Sequence, residues 1–173
     1  MRHAFVVMGT AGSGKSVTGT ALADSLGIRF VEGDMFHPSE NVARMAAGVP
    51  LTDDDRHGWL LALAARLRTA REHGEGVVVS CSALKRSYRD ILRAGDDSIR
   101  FICLQGDETV LRARLESRSG HFMPASMLAS QLAAFEPPDR DERAWTFDVR
   151  DTPEQIVAAI TARLRAEPLD SDA

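Results

Sequence analysis

The stretch GTAGSGKS, residues 9–16, decides the fold. It matches the pattern Gly-x-x-x-x-Gly-Lys-Ser/Thr and lies between an apolar run, HAFVVM, and a stretch, SVTGTALADSLG, that predicts a helix. Glycines in such a loop allow successive backbone N–H groups to converge on phosphate oxygens, and the N-terminus of the following helix adds partial positive charge. Strand, loop and helix together predict a binding site for a nucleoside triphosphate.

Two side chains of this loop have an expected chemical role. Lys15 supplies a positive charge for the β- and γ-phosphates, and Ser16 offers a hydroxyl oxygen to Mg²⁺. The other nucleotide-binding positions that the motif predicts are Gly9, Thr10, Ala11, Gly12, Ser13, Gly14 and Val17. The motif does not say what is done with the nucleotide.

Outward from the loop, apolar runs alternate with helical patterns. The apolar runs predict strands near residues 3–8, 29–32, 77–81, 99–104 and 145–149. The longest helix predicted between them covers about residues 53–72 and begins with an Asp-Asp-Asp sequence that favours the helix dipole. Because the strands are apolar on both faces, we expect a parallel sheet covered by helices on both sides, a three-layer α/β/α domain. Ligands of such sheets bind at the carboxyl ends of the strands.

The composition limits the class of protein. With 173 residues, 44% of them apolar and 27% charged, the chain fits one domain, residues 1–173, and is neither disordered nor fibrous. It has neither a run of ~20 apolar residues nor a signal peptide at its start, so we expect a cytoplasmic protein. A net charge of −4 provides no basic field for nucleic acid. Cys81 and Cys103 adjoin apolar runs and are expected to be reduced and buried.

The use of lysine is selective. Among 21 basic residues only Lys15 and Lys85 are lysine. Lys85 lies at the start of a predicted helix, where a positive charge opposes the helix dipole and so indicates an anion nearby. Together with Arg44, Arg56 and Arg86 it is suited to surround a negatively charged acceptor, such as a carboxylate.

Polar residues follow the second predicted strand in the stretch VEGDMFHP. Glu32 and Asp34 are two residues apart and so share a face of a strand. One carboxylate here can accept the proton of an attacking hydroxyl, and another can organise the water molecules of Mg²⁺. His37 precedes a proline, a place where a lone histidine is often only a turn residue. The stretch therefore predicts an acceptor site beside the phosphate loop.

Two large classes of nucleotide-binding protein are disfavoured. The common GTPases read guanine with Asn-Lys-x-Asp, but the only asparagine, Asn41, is followed by valine. Motor-type ATPases place a Mg²⁺-binding carboxylate at the end of an apolar strand, where this chain has Ser80, Cys81 and Ser82. The class of nucleotide-binding protein that remains is a compact kinase that phosphorylates a small acceptor.

Three stretches resemble the gluconokinase family of P-loop kinases: EGDMFHPSENVARMAAGVPLTDDDRHGWL, CSALKRSYRDILR and RSGHFMPASMLASQ. The resemblance covers residues 5 to about 160. It implies phosphorylation of D-gluconate at its 6-hydroxyl with ATP and Mg²⁺, which gives 6-phosphogluconate. It also implies a five-stranded sheet in the order 2-3-1-4-5, a mobile lid over about residues 119–138, and a homodimer. Residues 167–173, EPLDSDA, predict a polar tail.

The resemblance also assigns roles to single residues. It makes Asp34 the base that orients the 6-hydroxyl. The residues that it places on the gluconate are His37, Arg44, Arg56, Lys85, Arg86 and His121. Arg118 would reach the ATP phosphates when the lid is closed, and Thr152 and Pro153 resemble the loop that packs on adenine. Arg44 departs from the family, in which this position is often lysine, so the charge is kept but its geometry changes.

Two other functions stay open. A kinase for shikimate, a nucleoside monophosphate or another sugar acid would share the phosphate loop and would consume ATP without gluconate. A regulator without enzymatic activity would bind ATP and show no acceptor-dependent turnover. The presence of both a candidate base, Asp34, and a lid arginine, Arg118, counts against the regulator.

Overall fold

Five parallel strands form one sheet in the order β2-β3-β1-β4-β5, which confirms the predicted fold class. The structure is a computed structural model that describes residues 3–117 and 125–167. The strands are β1 (Ala4–Met8), β2 (Arg29–Glu32), β3 (Val77–Ser80), β4 (Arg100–Gln105) and β5 (Ala144–Asp148). The helices are α1 (Lys15–Leu26), α2 (Ser39–Ala46), α3 (Asp53–Glu72), α4 (Arg86–Arg93), α5 (Glu108–Ser117), α6 (Ala125–Ala134) and α7 (Pro153–Ala166), with 3₁₀ turns at Gly33–Phe36 and Arg140–Glu142.

Alternate residues of the central strand β1 face two separate cores. Val6 packs in the core on the α3 side, where Trp59 and Leu60 are completely or almost completely buried. Phe5 packs in the core on the opposite side, together with Ile160 of α7. Fully burying a side chain such as Leu60 contributes about 1.5–3 kcal/mol. The two cores fix the sheet, and with it the loops at the carboxyl ends of the strands.

The loop after β3 differs from the prediction. The sequence LKRSYRDILR predicts a helix that begins at Leu84, but α4 begins at Arg86. Ala83 has a φ of 44°, a left-handed conformation that is uncommon for alanine, and Lys85 has an extended conformation. Residues 83–85 therefore form a tight loop, and Lys85 lies immediately before the helix.

The described residues include part of the predicted lid, residues 119–138. Residues 125–134 form α6, in which Met127 and Leu128 are buried. Arg118 and His121 lie outside the described residues, so the extent and movement of the lid stay a prediction. Among the described residues no helix is long and apolar enough to cross a membrane.

Both cysteines are buried and free, as predicted. Burial raises the pKa of the Cys81 thiol to about 12 and that of the Cys103 thiol to about 11. Both side chains are therefore uncharged at neutral pH, and they serve as packing residues.

Candidate active site

The phosphate loop connects β1 to α1 as its sequence predicts. Gly14 has a φ of 89° and is the N-cap of α1, which begins at Lys15. A Cβ atom at Gly12 would lie 2.9 Å from the carbonyl oxygen of Leu111, so α5 packs too closely on the loop for any side chain there. The backbone amides of the loop are thus held at the N-terminus of α1, where the helix dipole favours an anion.

The polar side chains of the loop fit a polyphosphate. The Lys15 ammonium donates a hydrogen bond to the carbonyl oxygen of Thr10, at 3.0 Å, and so folds back over the loop. The hydroxyl of Ser13 is buried and has no hydrogen-bond partner among the described residues. Ser16 is exposed in the first turn of α1. A buried polar atom without a partner is costly, and an oxygen-rich ligand in the loop would supply one.

Asp34 lies just after β2, in the 3₁₀ turn. The residue is open to solvent, yet partial burial of its carboxyl group is the main cause that raises its pKa. The Lys15 charge opposes this rise, and the neighbouring Glu32 adds to it. A carboxylate whose pKa is raised accepts a proton more readily, and the Lys15 charge is near enough to act on this carboxyl group.

Glu32, the other candidate carboxylate, is engaged within the fold. It accepts a hydrogen bond from the Ser80 hydroxyl, and the same Ser80 oxygen accepts the N–H of Gly33 at 3.0 Å. These bonds tie the end of β2 to the end of β3. Glu32 is therefore held within the sheet, and the action of Asp34 on a substrate stays a prediction.

His37 stacks on the indole of Trp59, with ring centroids 4.0 Å apart and an angle of 18° between the planes. Trp59 is itself fixed, because its Nε1 donates to the carbonyl oxygen of Gly33 at 2.8 Å. Burial and, to a lesser degree, the nearby Arg56 charge lower the pKa of His37 to about 4. The ring is therefore neutral at physiological pH, and its buried Nδ1 has no hydrogen-bond partner among the described residues.

Two cations lie near the same aromatic ring. The Arg56 guanidinium carbon is 5.7 Å from the centroid of the Tyr88 ring, and the Lys85 ammonium is 5.6 Å from it. Arg56 is buried, and its Nε has no hydrogen-bond partner among the described residues. Tyr88 and Lys85 both donate hydrogen bonds to Asp53. The structure thus brings the predicted residues His37, Arg56 and Lys85 together, and we call these three the acceptor cluster.

Arg44 and Arg86, the other two predicted acceptor arginines, are paired with carboxylates. Arg44 forms an ion pair with Asp55 in the first turn of α3, at 2.5 Å. Arg86 forms ion pairs with Asp139, at 3.1 Å, and Asp141, at 2.7 Å. Arg44 is thus paired with the residue that precedes Arg56 in α3, whereas Arg86 is paired with the segment before β5. Their contact with an acceptor stays a prediction.

The loop that carries Lys85 is fixed by a buried ion pair that the sequence did not reveal. Arg89 is completely buried and forms two hydrogen bonds with Glu142, at 2.5 and 2.9 Å. Its remaining nitrogen donates to the carbonyl oxygens of Ala83, Leu84 and Glu136. These bonds hold the left-handed Ala83 in place. The helical pattern of α4 gave no sign that this arginine would be internal.

The predicted adenine loop has a structural role of its own. Thr152 is the N-cap of α7, with its hydroxyl accepting the N–H of Gln155 at 3.2 Å, and Pro153 is the first residue of that helix. A cavity of about 310 Å³ opens where β4 and β5 end, close to this loop in sequence. It is lined by Gln105, Gly106, Asp107, Thr146, Phe147 and Asp148. Adenine binding by Thr152 and Pro153 stays a prediction.

A parallel sheet in the order 2-3-1-4-5 with a phosphate loop after its central strand is the architecture of the P-loop kinases. A protein-family profile described as an AAA domain matches residues 5–138. The gluconokinase of Gluconobacter oxydans is 44% identical over 94% of this chain and 91% of its own. The thermosensitive gluconokinase of Escherichia coli is 38% identical over 92% and 88%. The chain belongs to the gluconokinase family.

Solved structures agree with this assignment. A gluconokinase from Sinorhizobium meliloti matches with a TM-score of 0.84 and 48% identity, covering 95% of both chains. An unliganded sugar kinase from Janibacter matches with a TM-score of 0.90 and 44% identity over the same shares. The adenylylsulfate (APS) kinase CysC of Mycobacterium tuberculosis, 17% identical with a TM-score of 0.69, shares the fold. The family resemblance seen in the sequence motifs is therefore confirmed.

Proposed function

We propose that this protein is a gluconokinase, which transfers the γ-phosphoryl group of ATP to the 6-hydroxyl of D-gluconate. The observation that carries the proposal is the position of Asp34 in the turn after β2, near enough to the phosphate loop for the Lys15 charge to act on it and three residues before His37 of the acceptor cluster. A base between a phosphate site and a group of cations suits an acceptor that has a hydroxyl at one end and a negative charge at the other.

The donor half of the site consists of residues 9–17. The loop amides and Lys15 would hold the ATP phosphates, Arg118 would add a charge from the lid, and Thr152 and Pro153 would adjoin adenine. Ser16, in the first turn of α1, would provide a protein oxygen for Mg²⁺. When bound, Mg²⁺ neutralises charge on the β- and γ-phosphates.

The transfer step forms one bond and breaks one. The 6-hydroxyl oxygen attacks the γ-phosphorus on the side opposite the oxygen that bridges the β- and γ-phosphates. The bond from the γ-phosphorus to this bridging oxygen breaks, and ADP leaves. The hydroxyl proton passes to Asp34, whose raised pKa favours its acceptance. Lys15 stays beside the phosphates as negative charge shifts toward the leaving oxygen. The products are 6-phosphogluconate and ADP.

The acceptor half would bind gluconate by charge and by hydrogen bonds. Arg56 and Lys85 offer positive charge to the carboxylate, and the neutral His37 offers a ring nitrogen to a hydroxyl. The buried Nδ1 of His37 and Nε of Arg56 have no partner among the described residues, so both gain one when a polyhydroxylated acid binds. Arg44, Arg86 and His121 complete the proposed set.

Three further properties belong to this proposal and rest on the family resemblance. The chain would act as a homodimer, it would work in the cytoplasm, and the predicted lid over residues 119–138 would close on the bound nucleotide while α6 within it keeps its contact with the phosphate loop. Light scattering on the purified protein measures the first property directly. A mass that corresponds to one chain would overturn it.

ATP consumption by the purified protein with Mg²⁺, with and without D-gluconate, tests the function. The panel of acceptors includes shikimate, epimers of gluconate and nucleoside monophosphates. We expect turnover that depends selectively on gluconate. Turnover with a different acceptor would support the kinase activity and contradict the assignment of gluconate as the substrate. ATP binding without turnover on any acceptor would favour a regulator.

A further inference from the structure

Gln131 of α6 makes a direct contact with the phosphate loop. Its side-chain oxygen accepts the backbone N–H of Ala11 at 2.7 Å, across 120 residues of sequence. Gln131 is 7% exposed and Ala11 is 8% exposed, so water has little access to this bond. A buried N–H needs an acceptor, and without one the loop must change its conformation or lose free energy.

The packing around α6 supports a fixed contact. Leu128, one turn before Gln131, is completely buried in the core that also contains Leu111 of α5. The carbonyl oxygen of Leu111 closes the space next to Gly12, so α5 and α6 cover the same loop. The helix α6 therefore contacts the loop through a hydrogen bond and is also held beside it by apolar packing.

The segment just after α6 contacts the acceptor side. The N–H of Glu136 donates to the carbonyl oxygen of Leu84 at 2.8 Å, and its carboxylate accepts the N–H of Arg86 at 2.7 Å. These two residues flank Lys85 of the acceptor cluster. The region of α6 thus adjoins the phosphate loop at Gln131 and the acceptor loop at Glu136.

We propose that Gln131 is a positioning residue for nucleotide binding: its side-chain oxygen holds the Ala11 N–H and keeps the phosphate loop in the conformation that accepts a nucleotide. The proposal rests on the proposed role of the loop in binding ATP. If the bond is removed, part of the population adopts other loop conformations that satisfy the Ala11 N–H. The apparent affinity for nucleotide then falls in proportion to the fraction of molecules that remain competent.

The Gln131→Met variant tests the proposal, because methionine has a similar length and lacks a strong acceptor. The matched control is Ser126→Ala, at an exposed position of the same helix. We expect the Kd for MgATP, measured without acceptor, to rise about tenfold in Gln131→Met and to stay unchanged in the control. The KM for gluconate at saturating MgATP should be the same in all three proteins.

The role would be purely structural, and the proposal wrong, if Gln131→Met lowered the melting temperature but bound MgATP as the wild type does. An equal rise in the Kd for MgATP and the KM for gluconate would also overturn it. If the methionine variant does not fold, Gln131→Asn replaces it, because asparagine withdraws the oxygen by one methylene group. We then expect a smaller rise in the Kd for MgATP and an unchanged KM for gluconate. Failure of wild-type turnover with gluconate would overturn the proposed substrate, while the MgATP comparison would still decide the role of Gln131.

Discussion

Lys85 and Asp53 form an ion pair in which the ammonium lies 2.8 and 3.1 Å from the two carboxylate oxygens. Asp53 is the first residue of α3 and Lys85 directly precedes α4, so the pair joins the N-termini of two helices. The hydrogen bond from Lys85 lowers the pKa of Asp53, and the same bond raises the pKa of Lys85. Both groups are charged at neutral pH, and an anionic acceptor competes with Asp53 for the ammonium.

Replacing Lys85 with glutamine should weaken acceptor binding specifically. Hydrogen bonds to charged groups contribute about 1.5–3 kcal/mol, so we expect the KM for gluconate to rise about 10- to 100-fold. The KM for MgATP should change little, because Lys85 belongs to the acceptor cluster and not to the phosphate loop. Steady-state kinetics with each substrate varied in turn measures both constants.

Arg71→Gln is the matched control for Lys85→Gln. Arg71 also forms an ion pair with an aspartate, Asp96 at 3.3 Å, but it lies near the far end of α3 from the acceptor cluster. Its replacement should leave both KM values unchanged. Equal KM values for gluconate in the two variants would remove Lys85 from the acceptor site.

Asp34→Asn should abolish most turnover and leave the fold intact. General-base catalysis typically contributes about 10²–10⁴-fold, and the loss in kcat should lie in that range. The residue is exposed, and its pKa is raised because burial disfavours the charged form, so removing the charge should not lower the melting temperature at neutral pH. Turnover within a few-fold of the wild type would contradict the assignment of the base.

The same raised pKa predicts the acid limb of activity. The carboxylate must be charged to accept a proton, so kcat/KM should fall as the pH drops through the Asp34 pKa, which lies above the ordinary value of 3.8. A pH–rate profile of the wild type measures this limb. An activity that stays constant down to pH 3.8 would show that no group with a raised pKa is needed.

His37→Phe should change how stability depends on pH. Burial lowers the pKa of His37 from 6.5 to about 4, so the neutral ring contributes stability that is present above pH 6.5 and is lost as the pH falls through 4. Phenylalanine keeps a ring against Trp59 and does not titrate. The melting temperature of the wild type should therefore fall relative to that of the variant between pH 6.5 and 4. Parallel curves over this interval would contradict the pKa direction.

Arg89→Met should destabilise the protein strongly, since it leaves Glu142 buried without its partner. Breaking a buried ion pair in this way costs about 3–5 kcal/mol. Denaturant unfolding of Arg89→Met measures this loss, and Arg112→Met is the control because Arg112 pairs with Glu108 at the surface. Removing an exposed pair has little effect, so equal midpoints for the two variants would contradict the structural role of Arg89.

The sequence predicted most of the fold because the patterns that specify it are local. The apolar strands, the phosphate loop and Asp34 each follow from a short stretch, and the parallel sheet brings strand ends together. The position of Lys85 against the helix dipole indicated a nearby anion, and an acceptor anion at this place stays a prediction. In the structure the anion beside Lys85 is Asp53, a side chain 32 residues earlier in the chain.

Local sequence patterns could not predict the contacts between distant segments of the chain. The Arg89–Glu142 pair and the Gln131–Ala11 bond join residues 53 and 120 positions apart, and neither leaves a mark in the spacing of polar residues. Arg86 shows the same limit. The sequence did not predict its ion pairs with Asp139 and Asp141, which lie 53 and 55 positions away, and its contact with an acceptor stays a prediction.

The identity of the phosphorylated product tests the central claim most directly. The purified protein is incubated with MgATP and D-gluconate, and the product is examined by NMR correlation between phosphorus and protons. The account predicts a single phosphate ester whose phosphorus couples to the two protons on C6, formed together with an equal amount of ADP. Release of inorganic phosphate alone, or an ester at any other hydroxyl, would contradict it.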